Sequence, residues 1–343
     1  MLADDLAAAA AMLTPRDIWY HTWNSMAKQV ARAERLSLRR DVVQTAQHLA
    51  CSRPSSMRDT IDLAKPPYPL TWIEWADTDK REIREQFGLI NMSGTVHPTR
   101  VGALVTQIGD DGDEYRVEFA WTHGGPEKLC VSIACITLNL GETRSGMVLT
   151  RDEILKTIVG RKDQPGSYWA IYKNKPAELE AYADLLTRIG YGTADVAKED
   201  LNKLIRDPFV EPQIRQLYQA NLADVDSETL FLTSFLLLFN TFNATSRKRE
   251  DLSKINKSRK KQKKQQLLEY DTILMRLSKR EREEGRPGMG GHGTGSAKMS
   301  HVCRGHYKRL TKPDGSSRLV WWRSHWRGSG ARAGVGRNRE VAL

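Results

Sequence analysis

The sequence predicts an α+β fold: an antiparallel sheet flanked by helices, with a basic C-terminal arm and a β-hairpin. Three observations lead there: helical apolar spacing before residue 62 and again after residue 150, alternating runs joined by turn residues between them, and an abrupt composition shift near residue 245. With 343 residues, 40% of them hydrophobic, the chain can bury a sizeable core.

Taking the elements in order, Thr14-Pro15-Arg16-Asp17 reads as a helix cap, and Ile18, Trp19, Trp23, Met26 and Val30 follow at helical spacing. A second helical pattern runs through Leu36, Val42, Val43, Ala46 and Leu49 and stops at Arg53-Pro54. The prolines of Leu63-Ala-Lys-Pro-Pro-Tyr-Pro-Leu70 force an extended segment leading into a short strand, Thr71–Trp75. Residues 100–108 and 114–122 flank Gly109-Asp-Asp-Gly-Asp113 as a hairpin, and Cys130–Leu140 continues as a buried strand. That Asp-rich turn lacks the ligand spacing of a calcium loop and reads as a solvated turn. Thr150 and Glu153 match a capping box, and helices are expected over residues 176–189, 198–205 and 226–243.

Beyond residue 245 the chemistry changes. Residues 246–343 hold 26 Lys and Arg against 9 Asp and Glu, a net +17, so the +11 of the whole chain conceals an acidic body. Residues 246–264 contain ten of these cations and form either a basic helix or an extended arm. The alternating segment 269–277 is expected as an edge strand, and the Gly-rich residues 284–298 as a linker. Two further strands, residues 302–310 and 318–326, flank Pro313-Asp314-Gly315 as a second hairpin. The implied organisation is a helical region over residues 1–62, an α+β body over 63–245, an arm, strand and linker over 246–300, and a basic Trp/Arg hairpin and tail over 301–343.

The functional reading follows from that charge. Cations that neutralise phosphates release counterions, and interleaved arginine and indole groups suit phosphate forks and base stacking. The candidate nucleic-acid contacts are Arg247, Lys248, Arg249, Lys260, Lys261, Lys263 and Lys264 in the arm. In the hairpin they are Arg304, His306, Lys308, Arg309, Trp322, Arg323, His325 and Arg327. A competing reading packs the hairpin tryptophans on the body and leaves its arginines in water. A nuclease reading would use His306 and His325 as general acid and base without a metal. A zinc site from His301, Cys303 and His306 lacks a fourth ligand, so neither metal nor cofactor is expected. The scattered Cys51, Cys130, Cys135 and Cys303 suit reduced thiols in a cytoplasm. The acidic start of the chain does not read as a signal peptide, and the most apolar run, residues 230–242, is too short for a membrane span.

Three segments carry a resemblance: Leu-Ala-Lys-Pro-Pro-Tyr-Pro-Leu-Thr-Trp-Ile-Glu-Trp (63–75), Ile-Asn-Lys-Ser-Arg-Lys-Lys-Gln-Lys-Lys with the following Glu-Tyr-Asp (255–271), and Cys-Arg-Gly-His-Tyr-Lys-Arg with Trp-Trp-Arg-Ser-His-Trp-Arg-Gly (303–328). In these the chain resembles a family of proteins encoded by tailed phages and prophages. The resemblance implies a viral protein made in a bacterial host cytoplasm, and it transfers no catalytic residues. The expectation is therefore a nucleic-acid-binding accessory protein. The alternative of another class is a host-takeover protein that binds a bacterial protein.

Overall fold

The computed structural model describes residues 1–89, 97–124, 126–141, 147–160, 162, 168–276, 301–303, 306–311, 315, 317–322 and 325–327. Helices α1 (Leu2–Met12) and α2 (Tyr20–Arg32) lead into strand β1 (Glu34–Leu38), then α3 (Arg40–Ser52) and α4 (Pro54–Arg58). Strand β2 (Leu70–Ala76), helix α5 (Asp77–Gln86), the hairpin β3 (Arg100–Ile108) and β4 (Glu114–Thr122), and β5 (Leu129–Asn139) follow. Next come β6 (Met147–Val148), α6 (Arg151–Gly160), α7 (Tyr168–Tyr172), α8 (Pro176–Leu186), β7 (Ile189–Thr193), α9 (Lys198–Leu204) and α10 (Glu211–Phe239). The basic region supplies β8 (Thr245–Arg249), α11 (Ser253–Lys261) and β9 (Asp271–Met275), and four short strands close the described chain: β10 (His301–Cys303), β11 (His306–Thr311), β12 (Ser317–Trp322) and β13 (His325–Arg327).

The fold is α+β, and its main sheet is mixed, in the order β6-β7-β5-β4-β3-β2-β1-β9-β8. Most pairs are antiparallel, as the short turns require, but β1 runs parallel to both β2 and β9. The sequence places Leu36 in a helix. In the structure Leu36 and Leu38 instead lie on one face of β1, because two neighbours distant in sequence satisfy its backbone on both sides. Strand β9 differs from expectation for the same reason: it is interior, and the basic β8 forms the sheet edge. The helix expected from Thr14 also starts later than that cap-like sequence suggests. Thr14 donates from its N–H and its hydroxyl to Asp17 Oδ2, at 2.6 and 2.9 Å, which closes a turn before α2 begins at Tyr20. Asp200 then does what a cap residue would, accepting from Thr22 N at 2.7 Å and Thr22 Oγ1 at 2.6 Å.

Both faces of the sheet are covered, so its central strands are apolar on both sides. One face presents Ile73, Trp75, Val101, Ala103, Val117 and Phe119 to a core shared with α3, α8 and α10. The other presents Trp72, Leu104 and Ala120 to α1 and α2. On this second face the fully buried Glu74 accepts from Leu2 N and Ala3 N, both at 3.2 Å, and from Trp72 Nε1 at 3.1 Å. Arg100 pairs with the same carboxylate. Trp72 is thereby fixed across Gly102, on whose Cα a methyl group would run into the indole ring. Gly102→Ala is expected to cost about 3 kcal/mol, read as a lower urea midpoint, with overpacking as the mechanism.

The capping box forms as its spacing predicts: Thr150 Oγ1 donates to Glu153 Oε2 at 2.7 Å while Glu153 N donates back at 3.3 Å. The Asp-rich turn is a plain hairpin connection, with Gly109 and Gly112 at φ +68°, a conformation that glycine adopts without strain. No helix among the described residues is long and apolar enough to cross a membrane.

Candidate nucleic-acid interface

The basic arm is ordered structure, and its two halves differ electrostatically. In β8, the edge position leaves the consecutive Arg-Lys-Arg triplet exposed, where charged side chains also discourage edge-to-edge pairing. Each cation of this triplet is already matched. Arg247 pairs with the buried Asp271, donates to Tyr68 Oη, lies over the Tyr68 ring at 5.4 Å and approaches Glu34 at 3.5 Å. Arg249 bonds Glu269 at 2.8 Å and Asp271 at 3.3 Å. Lys248 meets Glu250 at 3.2 Å; the Thr272 hydroxyl first and Lys248 second hold that carboxyl below its usual range. A phosphate arriving here competes with carboxylates already in place.

Helix α11 is the opposite case. Lys254, Lys257 and Lys261 stand at i, i+3 and i+7 on one face, Lys260 flanks them, and Lys263 and Lys264 follow in the turn. All six are exposed, and none has a carboxylate partner among the described residues. The helix N-terminus is tied by Asp251, whose Oδ1 accepts from Ser253 N at 2.9 Å.

The turn that ends α11 is a Schellman motif: Lys263 N donates to Lys260 O at 3.1 Å and Lys264 N to Arg259 O at 2.9 Å. The left-handed position, normally a glycine, is held by Lys263 at φ +55°. The returning chain is then bolted to the helix. Asn256 accepts from Leu267 N at 2.8 Å and donates to Leu267 O at 3.0 Å, Arg259 Nε donates to Gln265 O at 2.6 Å, and Leu268 N donates to Asp4 Oδ1 at 2.8 Å. The lysines are therefore displayed from a fixed scaffold, with four of them near the helix C-terminus, whose dipole offsets part of their mutual repulsion. Lys263→Gly is expected to stabilise the fold by up to about 1 kcal/mol, read as a higher denaturation midpoint, because glycine takes this conformation without strain, while weakening polyanion binding by one contact.

Strands β11 and β12 pair as an antiparallel hairpin, with His306 opposite Trp322 and Lys308 opposite Val320, while Pro313 and Asp314 of the expected turn lie outside the described residues. Its inner face is core: Tyr307, Leu319 and Trp321 are buried, and Tyr307 Oη donates to Ser234 O at 3.0 Å, with burial pushing its phenol pKa far up. Asn243 clamps the Trp321 backbone by two hydrogen bonds, at 2.9 and 3.1 Å, and Phe242 N donates to Leu319 O at 3.2 Å. Arg309 is held by Asp62 at 2.6 Å and the Asp59 carbonyl at 2.9 Å. The outer face carries Lys308, whose ammonium lies 4.7 Å from the centroid of the Trp322 ring, which is itself 44% exposed. The packing reading thus accounts for Trp321, and Lys308 and Trp322 point the other way.

His306 and His325 occupy separate ladders, His306 opposite Trp322 and His325 opposite Cys303. Their side chains and that of Arg327 lie outside the described residues, as do Arg304 and Arg323 altogether. No group of three or more metal-binding side chains occurs among the described residues. Burial pushes the Cys51 thiol up to about 11 and that of Cys135 up to about 12, so neither is a ready nucleophile. Lys254 and Lys257, passed over when single residues are chosen from the basic run, are legible from the i, i+3, i+7 spacing once that run is read as a helix. Phe242 and Arg318 carry no such signal. No protein-family model, curated protein or solved structure matches the chain.

Proposed function

We propose that the protein binds nucleic acid, with the lysines of α11 and its Schellman turn as the principal phosphate contacts. The observation that carries this reading is the contrast within the arm: β8 has its cations neutralised internally, whereas α11 and the turn after it present six that have no carboxylate partner among the described residues. A lysine kept in a left-handed conformation that glycine fills more easily adds to it, since backbone strain is characteristic of functional positions. Such a surface attracts polyanions irrespective of sequence through counterion release. The resemblance to tailed-phage and prophage proteins supplies the setting: an accessory factor acting on nucleic acid in a bacterial host cytoplasm.

The test is a titration of binding against salt concentration with the purified full chain. A steep linear fall of log affinity with log salt, reduced when α11 lysines are removed, is the expected result. A flat dependence, or a slope indifferent to those lysines, would overturn the reading.

A further inference from the structure

Lysines alone do not distinguish one nucleic acid from another, but the outer face of the hairpin holds planar chemistry that does. Two exposed aromatic rings there each sit beside a cation: Trp322 with Lys308, 4.7 Å from ammonium to ring centroid, and Phe242 with Arg318, 5.6 Å from guanidinium carbon to centroid. Phe242 is 69% exposed, because α10 ends at Phe239 and the chain turns outward toward Leu319. Arg318 and Trp322 lie four residues apart on β12, hence on one face and about 13 Å apart at the usual strand rise.

Single exposed hydrophobic residues are ordinary on protein surfaces and require no explanation. What sets this pair apart is its mounting. The reverse face of the hairpin is sealed by Tyr307, Leu319 and Trp321, Asn243 pins the Trp321 backbone and Phe242 N bonds Leu319 O, so Trp322 on the strand and Phe242 on the adjoining loop are both presented on anchored backbone. Resting on the proposed function, we infer that this face is a stacking platform for unpaired bases, which makes the substrate class single-stranded nucleic acid. In a duplex the bases are stacked on one another and their faces are closed to protein, whereas a single strand can splay bases onto aromatic rings while its phosphates meet adjacent cations. Lys308 and Arg318 lie where those phosphates would pass. Connectivity joins the platform to the lysine array: β8 begins three residues after Phe242, spans five residues or about 17 Å, and is followed after three residues by α11.

The experiment measures affinity of the full chain for one labelled mixed-sequence oligonucleotide presented as single-stranded DNA, single-stranded RNA and duplex DNA. Either single strand, or both, is expected to bind at least tenfold more tightly than duplex. Trp322→Ala and Phe242→Ala are each expected to weaken single-strand binding by roughly tenfold, the scale on which one stacked base is held, while leaving duplex binding unchanged. Trp322→Phe should retain most of the affinity, since it keeps a ring. Equal binding of strand and duplex, or Ala variants that weaken both alike or neither, overturns the platform; if the lysine-dependent salt slope persists in that case, the proposed function stands without it. Absence of salt-dependent binding to all three probes removes the proposed function itself.

Discussion

Replacing Lys257, Lys260, Lys261 and Lys264 together with Ala is expected to lower the slope of log affinity against log salt by roughly 3 to 4 on duplex DNA, since each phosphate contact contributes about 0.9. Near 0.1 M salt that corresponds to an affinity loss on the order of a thousandfold. These four side chains are exposed and take part in no ion pair among the described residues, so the variant should keep the parent's denaturation midpoint. The informative control is Arg247→Ala with Arg249→Ala. That pair strips the buried Asp271 of its partners and should destabilise the fold by a few kcal/mol, while leaving the salt slope nearly untouched. A slope that responds to the β8 pair and ignores the α11 lysines would place the phosphate contacts on the sheet edge.

The largest effect on stability is expected at Lys80. Its side chain is 1% exposed, and its ammonium pairs with Glu228 of α10 and lies 3.5 Å from Asp77, with the Phe231 ring centroid 5.8 Å away. It fastens α5 to the long apolar helix. Lys80→Ala leaves the buried Asp77 and the largely buried Glu228 without their shared cation, a change worth about 3–5 kcal/mol and a large share of the 5–15 kcal/mol typical of a folded domain. Replacing both members of the pair, Lys80→Met with Glu228→Leu, should recover much of that loss, because Asp77 retains Arg81 at 3.4 Å. A urea-denaturation double-mutant cycle reads the difference. A single variant as stable as the parent would show that the ion pair contributes nothing.

What the sequence conveyed follows from the range of each interaction. The hairpin of β3 and β4 was legible to the residue, because alternation and two turn glycines are local signals. The capping box at Thr150 was equally so. Strand β1 was not, since its five residues take their conformation from partners at Thr71–Glu74 and Asp271–Ile273, and Leu36 falls seven residues before Val43, in register with the helical pattern that follows. The same limit applies to the basic residues. Composition shows ten cations between residues 246 and 264, but not that Asp271, Glu34 and Glu269 have claimed two arginines, or that a Schellman turn without glycine ends the helix. Phe242 was assigned to a buried helix because the apolar run continues to it, yet α10 stops at Phe239 and its ring faces outward.

The position of β1 between β2 and β9 also sets the order in which the molecule can be finished. Leu36 aligns with Asp271, 235 residues later, so during synthesis at 5–20 residues per second β1 waits roughly 10–50 s for its second neighbour. Through that interval the edge of the nascent sheet at Leu36–Leu38 is open, and the segment that eventually covers it is the strand bracketed by α11 and the Gly-rich stretch. The chain thus closes its sheet with its most basic portion, and until that portion has emerged from the ribosome, itself largely RNA, the acidic body is an unfinished surface.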